Sequence, residues 1–340
     1  MKHNRYQNYF LGFGLVVLAI MVTQLDYAEV WRGVSRAGYW FFAVVALWAF
    51  LYIFNTATWW LIIKGVLAPH RNEQAPVGPM PKVPLLWLYK ITVSGFALNY
   101  ATPGGLMGGE PYRIMELTPR IGGERATASV ILYVMTHIFS HFWFWLLSVV
   151  LFLVTKPVDA ATGLLLLAVT AFCALGIWFF VVGYRRGLAV RAMNVLGHIP
   201  YLKRWTRRFV EQRREQLDEV DRKIAVLHRQ NPLTFVGCVL LELACRVCSS
   251  LEIYFVLLVL MPAPDFADCV LILAFTSLFA NLLFFFPLQL GGREGGFLMS
   301  AAGLGLTTSA GIFVALLVRL REIVWTAIGL LLIKLPLRSR

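Results

Sequence analysis

The sequence predicts an all-α polytopic membrane protein whose helix bundle contains two opposed, broken helical hairpins. The chain of 340 residues is 59% hydrophobic and only 14% charged. Soluble domains carry about 25% charged residues, so this composition excludes the soluble globular class. Long apolar runs recur from one end to the other, and two of them, at about 85–117 and 266–304, are interrupted by glycine and proline. These two segments are the predicted hairpins, arranged as an inverted-repeat-like pair.

The uninterrupted apolar stretches predict the membrane spans. They lie at about 7–25, 39–63, 126–154, 160–183, 233–260 and 308–334. A span needs about 20 apolar residues, which these stretches provide or approach. The first resembles a signal peptide, but no small-residue cleavage site follows it, so we expect a retained helix. The whole of 1–340 is therefore expected to be a single integral membrane domain.

Polar segments connect these spans. A short charged loop is expected at about 26–36 and a proline-rich loop at about 64–84. The segment 184–231 carries 12 Lys/Arg against 5 Asp/Glu, with apolar residues at helical spacing. It is typical of an amphipathic helix with a basic face, which either lies on anionic lipid or packs on neighbouring loops.

The distribution of basic residues predicts the orientation. With both termini in the cytoplasm, only Arg32, Arg36 and Lys156 lie outside, and all the strongly basic segments lie inside. This asymmetry satisfies the positive-inside rule and indicates a multi-pass protein of the cytoplasmic (inner) membrane. It also accounts for much of the net charge of +13, so nucleic acid is not an expected partner.

The two breaks share a pattern. The first, 99–116, reads NYATPGGLMGGEPYRIME, and the second, from position 281, reads NLLFFFPLQLGGREGGF. In each, a glutamate follows a proline by seven residues: Glu110 after Pro103 and Glu294 after Pro287. Irregular backbone at membrane depth needs burial in protein or a wet cavity, so paired breaks indicate a transporter-type binding site. The alternatives are merely kinked, packed helices, and segments that span fully.

Charges also lie inside the predicted spans. They are Glu242, Arg246 and Glu252 in one span and Arg319, Arg321 and Glu322 in the last. Insertion of each charged side chain at the membrane centre costs roughly 2.5–3.5 kcal/mol, so we expect a structural or functional role for each. Structural ion pairs are one reading, with Glu242 and Arg246 pairing along their own helix. The number of charges favours a polar cavity instead.

A glycine-rich helix start beside arginine indicates an anion site for a phosphate or phosphodiester. The carboxylates there either pair with a cationic headgroup, titrate or neutralise the arginines. His137 and His141 could form a metal pair or proton relay, but their aromatic surroundings favour packing. Cys245 and Cys248 are interpreted as small residues on one helix face. We expect no metal, no cofactor and no catalytic residue.

The candidate substrate-binding residues come from the two breaks and the intramembrane charges. They are Asn99, Pro103, Gly104, Gly105, Gly108, Gly109, Glu110, Arg113, Glu242, Arg246, Asn281, Pro287, Gly291, Gly292, Arg293, Glu294, Arg319 and Glu322.

The motifs TPGGLMGGEPYR and PLQLGGREGG resemble those of the lysylphosphatidylglycerol synthase transmembrane family, the flippase-like membrane domain that also occurs without a soluble synthetase. The resemblance implies an all-helical bundle with re-entrant segments that moves or handles phospholipids or other anionic amphiphiles. The matching positions are Pro103, Gly104, Gly105, Gly109, Glu110, Arg113, Pro287, Gly291, Arg293, Glu294 and Gly295. Leu288 and Gln289 stand where the family usually repeats Pro-Gly-Gly. No soluble transferase domain is recognised, so lysyl transfer to lipid is not expected.

The favoured function is therefore a membrane lipid translocator. A second hypothesis is an integral transferase that acts on a lipid-linked substrate, with Glu110 or Glu294 as base. A third is a scaffold whose basic segment recruits a cytoplasmic synthase partner.

Overall fold

The computed structural model describes residues 9, 12, 15–16, 27–67, 82–101, 108–186, 232–282, 292–304 and 306–335. Within these ranges the protein is all-helical, which confirms the predicted fold class. The ten helices are α1 (Tyr27–Ala37), α2 (Tyr39–Leu67), α3 (Leu85–Ala101), α4 (Gly109–Ile121), α5 (Gly123–Thr155), α6 (Ala160–Arg186), α7 (Pro232–Leu257), α8 (Phe266–Leu282), α9 (Gly292–Gly303) and α10 (Thr308–Lys334).

Four of the described helices, α2, α5, α6 and α7, are long and apolar enough to cross a membrane. The predicted spans at these places are confirmed as helices, with ends that differ by a few residues. α10 has 27 residues, also the length of a span, but carries three charged side chains near its middle. Of the predicted first span, the structure describes four positions. Of the basic segment 184–231, residues 187–231 lie outside the described residues.

The expected loop at 26–36 is a helix instead. α1 covers most of it and ends at Gly38, whose φ is 55° and whose N–H donates to the Val34 carbonyl at 2.9 Å. Glycine adopts this left-handed conformation without steric cost, so it terminates the helix. Short polar helices with one apolar face are easily read as loops when only the mean polarity is considered.

Each predicted hairpin contains two short helices that pack against each other, α3 with α4 and α8 with α9. α3 and α8 have 17 residues each, α4 has 13 and α9 has 12. At 1.5 Å per residue these helices are about 18–26 Å long, less than the roughly 30 Å of a bilayer core. The breaks themselves, 102–107 and 283–291, lie outside the described residues. Re-entrance into the membrane therefore remains a prediction.

α10 supports one helix of each pair. Along its second half, the Ser94 hydroxyl of α3 donates to the Gly329 carbonyl at 2.9 Å, and the Lys90 ammonium donates to the Leu335 carbonyl at 2.6 Å. Along its first half, Gly311 faces the backbone of α9 at Leu298, where a Cβ would lie 3.1 Å from the Leu298 Cα. The two pairs thus occupy different halves of one helix.

The two contacts lie on the same face of α10. Gly311 and Gly329 are 18 residues apart, which is about five full helical turns. α3 and α9 both run antiparallel to α10. The last residue of α3, Ala101, and the first residue of α9, Gly292, therefore both lie near the middle of α10. Glu322 lies on this face too, about two turns before Gly329 and three after Gly311. The broken ends of both pairs therefore approach the charged middle of α10.

The other long helices enclose this arrangement. α7 packs against α2, α5, α8 and α10, and α2 also contacts α3 and α5. The largest apolar cluster joins α2, α3, α4 and α5 around Trp59, Leu88, Tyr112 and Tyr133. α6 instead exposes leucine and aromatic side chains such as Leu164 and Trp178, as a lipid-facing helix does.

Candidate functional site

One asparagine connects the two helices on either side of the first break by hydrogen bonds. The Gly109 N–H donates to Asn99 Oδ1 at 2.8 Å, and Asn99 Nδ2 donates to Glu110 Oε1 at 2.9 Å. Asn99 lies in the last turn of α3, and the other two residues begin α4. An amide side chain can accept and donate at once, which explains why asparagine serves this position. We call Asn99, Gly108, Gly109, Glu110 and Arg113 the break site.

Two glycines allow α4 to lie directly on α3. A Cβ on Gly109 would overlap the carbonyl oxygen of Gly95, and a Cβ on Gly95 would overlap Nε of Arg113. Neither position can hold a larger side chain unless the two helices separate. The repeated glycines of this segment therefore set the distance between α3 and α4.

Arg113 is buried, with only 1% of its side chain exposed. Its Nη2 donates to the Thr92 carbonyl at 3.4 Å, and its Nη1 lies 3.5 Å from Glu110 Oε1. The guanidinium also lies 4.7 Å from the ring centre of Phe96 and 5.2 Å from that of Tyr133. Two of its donor nitrogens are thus directed at protein atoms and rings lie over the guanidinium, whereas its buried Nε has no hydrogen-bond partner among the described residues. This arrangement does not favour an arginine fork that is open to a phosphate.

Glu110 keeps one open acceptor. Its Oε1 accepts from Asn99, whereas its buried Oε2 has no hydrogen-bond partner among the residues that the structure describes. The helix that Glu110 begins has Gly108 as its N-cap and therefore no capping side chain. The Gly109 N–H is already engaged by Asn99 and Pro111 has no N–H, so an anion here would rely on the N–H of Glu110 and on the helix dipole. The break site therefore presents an acceptor for a donor group beside a helix start suited to an anion.

A second polar cluster lies between α2, α5 and α7. Glu242 is buried, accepts from Asn55 Nδ2 at 3.2 Å and lies 2.8 Å from Nδ1 of His137. Its partners thus come from two other helices. We call Asn55, His137, His141, Glu242 and Arg246 the histidine cluster.

Arg246 does not pair with Glu242, so the alternative of an ion pair along the helix does not hold for these two residues. Its Nε donates to Ser140 Oγ at 2.7 Å, its Nη2 donates to the His137 carbonyl at 2.7 Å, and its Nη1 lies 2.8 Å from His141 Nε2. All these acceptors belong to α5. A neighbouring helix can offer several aligned acceptors at once, which outweighs the single contact available four residues away.

His141 has a defined tautomer. Its Nε2 faces the guanidinium of Arg246, which can only donate, and its Nδ1 lies 3.2 Å from the His137 carbonyl, which can only accept. The ring is therefore neutral, with its proton on Nδ1. Both histidines pack against aromatic rings, as expected, and both also take part in the polar network. Among the described residues, no group of three metal-ligating side chains is formed.

A third cluster joins α2, α7 and α10. Glu252 accepts from Nε and Nη2 of Arg321 at 2.8 and 2.9 Å, and from Trp48 Nε1 at 2.9 Å. The Trp48 ring also covers the guanidinium at 3.8 Å. Glu322 Oε1 lies 3.9 Å from Arg321 Nη1. The candidate residues did not include Glu252 and Arg321, because no spacing within the sequence relates two helices so far apart.

Aromatic rings connect the three clusters. Phe96 contacts Arg113, and its ring centre lies 6.1 Å from that of His137. Its ring also lies 5.4 Å from Tyr52, which is in turn 5.7 Å from Trp48 of the third cluster. The predicted residues of the first break are thus brought close to the charges of α7 and α10.

The second break is described less completely. Gly292, Arg293 and Glu294 form the first turn of α9, but the positions of the Arg293 and Glu294 side chains lie outside the description. Pro103, Gly104, Gly105, Pro287 and Gly291 lie outside the described residues altogether. Arg319 is half-buried and Glu322 is buried.

Asn281 does not repeat the role of Asn99. Its side chain is exposed and donates to the Ser277 carbonyl of its own helix at 2.8 Å. The asparagine that precedes the proline in each break therefore has a different role in the two breaks.

The comparisons with known proteins agree with this architecture. The family model described as "Lysylphosphatidylglycerol synthase TM region" matches residues 9–329, nearly the whole chain. No curated protein and no solved structure gives a significant match. The chain therefore belongs to the lysylphosphatidylglycerol synthase TM region family, a family of membrane proteins linked to lipid handling.

Proposed function

We propose that the protein is a flippase-like lipid translocator of the cytoplasmic membrane, whose break site receives the headgroup of a phospholipid or another anionic amphiphile. Membership of a lipid-linked membrane family supports the class of substrate. The observation that carries the proposal is the unpartnered Oε2 of Glu110 at the helix break.

A buried acceptor without a partner destabilises a protein by about 1–3 kcal/mol, and by more when it is charged. A hydroxyl or ammonium group of a lipid headgroup would supply the missing donor to Glu110. The phosphate of the same headgroup would then lie at the start of α4, where the helix dipole favours negative charge. One headgroup thus satisfies both features of the break site.

The position of the second helix pair supports movement across the membrane rather than binding alone. The broken ends of both pairs approach the middle of α10. Short helices that meet near the midplane, one pair from each side, suit alternating access to a shared site. The acyl chains would remain in the bilayer while the headgroup passes between the pairs.

The test uses purified protein in phosphatidylcholine vesicles that contain a fluorescent phosphatidylglycerol, with dithionite quenching to report the outer leaflet. The variants are Glu110→Gln and Arg293→Glu, and the matched control is Glu124→Gln at the exposed start of α5. We expect both site variants to lose at least about tenfold in rate, which corresponds to about 1.4 kcal/mol. Wild-type rates in both, at equal protein amounts and equal melting temperatures, would refute the proposal.

The histidine cluster favours one alternative, an integral transferase. His137 has one ring nitrogen on Glu242, the arrangement by which a carboxylate orients a general base. Incubation of the purified protein with candidate lipids, followed by mass spectrometry, distinguishes the two functions. A new lipid product that disappears in His137→Asn would favour the transferase.

A further inference from the structure

We infer that the His137–Glu242 pair is a proton-binding site through which movement of the lipid headgroup is coupled to a transmembrane proton gradient. The inference rests on the proposed translocator function and adds the coupling ion to it.

The geometry defines a single place for the proton to bind. Nδ1 of His137 lies 2.8 Å from Glu242 Oε2, so one N–H proton is already held between these two atoms. The other ring nitrogen, Nε2, has no hydrogen-bond partner among the described residues. A proton that binds there converts a neutral imidazole beside a carboxylate into an imidazolium–carboxylate pair. The charge of the pair then changes from −1 to zero, and no other atom has to be gained or lost.

The two members of the pair differ in access. Glu242 has 1% of its side chain exposed, whereas His137 has 31%. A buried carboxylate exchanges protons slowly by itself, but the histidine offers a nitrogen at the accessible side. His137 is therefore the member that exchanges protons, and Glu242 is the member that stabilises the bound one.

Charged and titratable groups surround the pair on every side. α7 contributes Arg246, Cys238 and Cys245, α5 contributes Tyr133 and His141, and α4 contributes Arg113. The two arginines disfavour an additional proton on His137, and the Glu242 carboxylate favours it. A proton on His137 therefore meets charges of both signs.

His141 does not compete for this role. Its Nε2 faces Arg246 and its Nδ1–H donates to the His137 carbonyl, so both ring nitrogens are already engaged. A second proton on its ring would place two like charges 2.8 Å apart. His141 is a positioning residue, one of three partners on α5 that hold Arg246.

The proton site is close to the break site. The rings of Phe96 and Tyr133 each contact both His137 and the guanidinium of Arg113. Loss of one negative charge at His137–Glu242 therefore favours an anionic headgroup at the neighbouring site. By linkage, binding of the headgroup favours binding of the proton to the same degree.

The experiment measures the steady-state distribution of fluorescent phosphatidylglycerol between leaflets, in the vesicles described above, with and without a pH gradient of one unit. If one proton moves with each lipid, the distribution shifts by up to about tenfold, since one pH unit is a tenfold ratio of proton activity. The shift should disappear when a protonophore collapses the gradient. Pyranine trapped inside the vesicles should report proton flow when a lipid gradient is imposed.

The variants locate the site. His137→Asn and Glu242→Gln should abolish the shift, whereas His141→Asn should keep it, whatever its effect on the rate. Loss of the shift in a folded His141→Asn protein would overturn the assignment to His137. Should the first two variants fail to fold, the wild-type arm still decides whether coupling exists.

Two wild-type outcomes separate the inference from the proposed function. Lipid movement with no shift under the gradient, and no pyranine response, would overturn proton coupling and leave the translocator intact. No lipid movement under any condition would overturn the translocator, and proton coupling with it.

Discussion

Glu252 and Arg321, 69 positions apart in the chain, form an ion pair with two hydrogen bonds whose members are 2% and 1% exposed. The pair joins α7 to α10, the helix that supports both broken pairs. Removal of one partner from a buried ion pair leaves an uncompensated charge and typically costs about 3–5 kcal/mol.

Arg321→Met is therefore expected to lower the melting temperature strongly in detergent, as measured by scanning fluorimetry. The double variant Arg321→Met with Glu252→Gln should recover much of this loss, because Glu252 is then no longer a buried charge without its partner. A double variant as unstable as the single one would show that the charge pair is not what stabilises the contact.

Gly95 is expected to tolerate no side chain, because a Cβ there would overlap Nε of Arg113. Gly95→Ala should destabilise the protein by about 1–3 kcal/mol through overpacking. Gly237→Ala in α7 is the matched control, since a Cβ at Gly237 meets no atom within 4 Å. The control should be neutral or slightly stabilising, as alanine is the better helix former. Equal unfolding curves for both variants would contradict the close approach of α3 and α4.

Asn99 is expected to stabilise the first break through its two hydrogen bonds. Asn99→Ala removes the acceptor of the Gly109 N–H and the donor to Glu110, which should cost about 1–3 kcal/mol and reduce lipid movement. Asn281→Ala is the control, because among the described residues that exposed side chain donates its hydrogen bond to its own helix. Similar losses in the two variants would indicate that the breaks are equivalent after all.

Asp159 is expected to make the start of α6 sensitive to acid. Its Oδ1 accepts from the Thr162 N–H at 2.9 Å, and hydrogen bonds from Thr162 lower the pKa of this carboxyl group. A lowered pKa in the folded state means that the contribution to stability is complete above the unfolded-state pKa, about 3.9, and is lost as the pH falls through the folded-state value. The melting temperature of Asp159→Asn should equal or exceed that of Asp159→Ala. In both variants the melting temperature should fall less at acid pH than it does in the wild type. An unchanged pH profile of melting would contradict this role.

The outcome at the histidine cluster shows where sequence reasoning stops. The spacing of Glu242 and Arg246 allows a pair along α7, and such a spacing can be read from the chain alone. In the structure, Arg246 instead donates to α5, and Glu242 contacts His137 and Asn55. The choice depends on how α5 and α7 are rotated against each other, and no local pattern contains that rotation.

The sequence by itself determined the membrane class, the main helices and the position of both breaks. It could do so because burial in lipid requires long apolar runs, and because glycine and proline interrupt helices by their own backbone chemistry. The last helix was predicted at about 308–334, the range that α10 occupies.

Only the tertiary structure decided which charges meet. Glu252 with Arg321, and Glu242 with His137, are pairs between helices that are distant in the chain. The buried carboxylates require donors, but any of several cations in the sequence could provide them. Which one does so is fixed by packing over the whole bundle, where glycines such as Gly95 set how closely two helices approach.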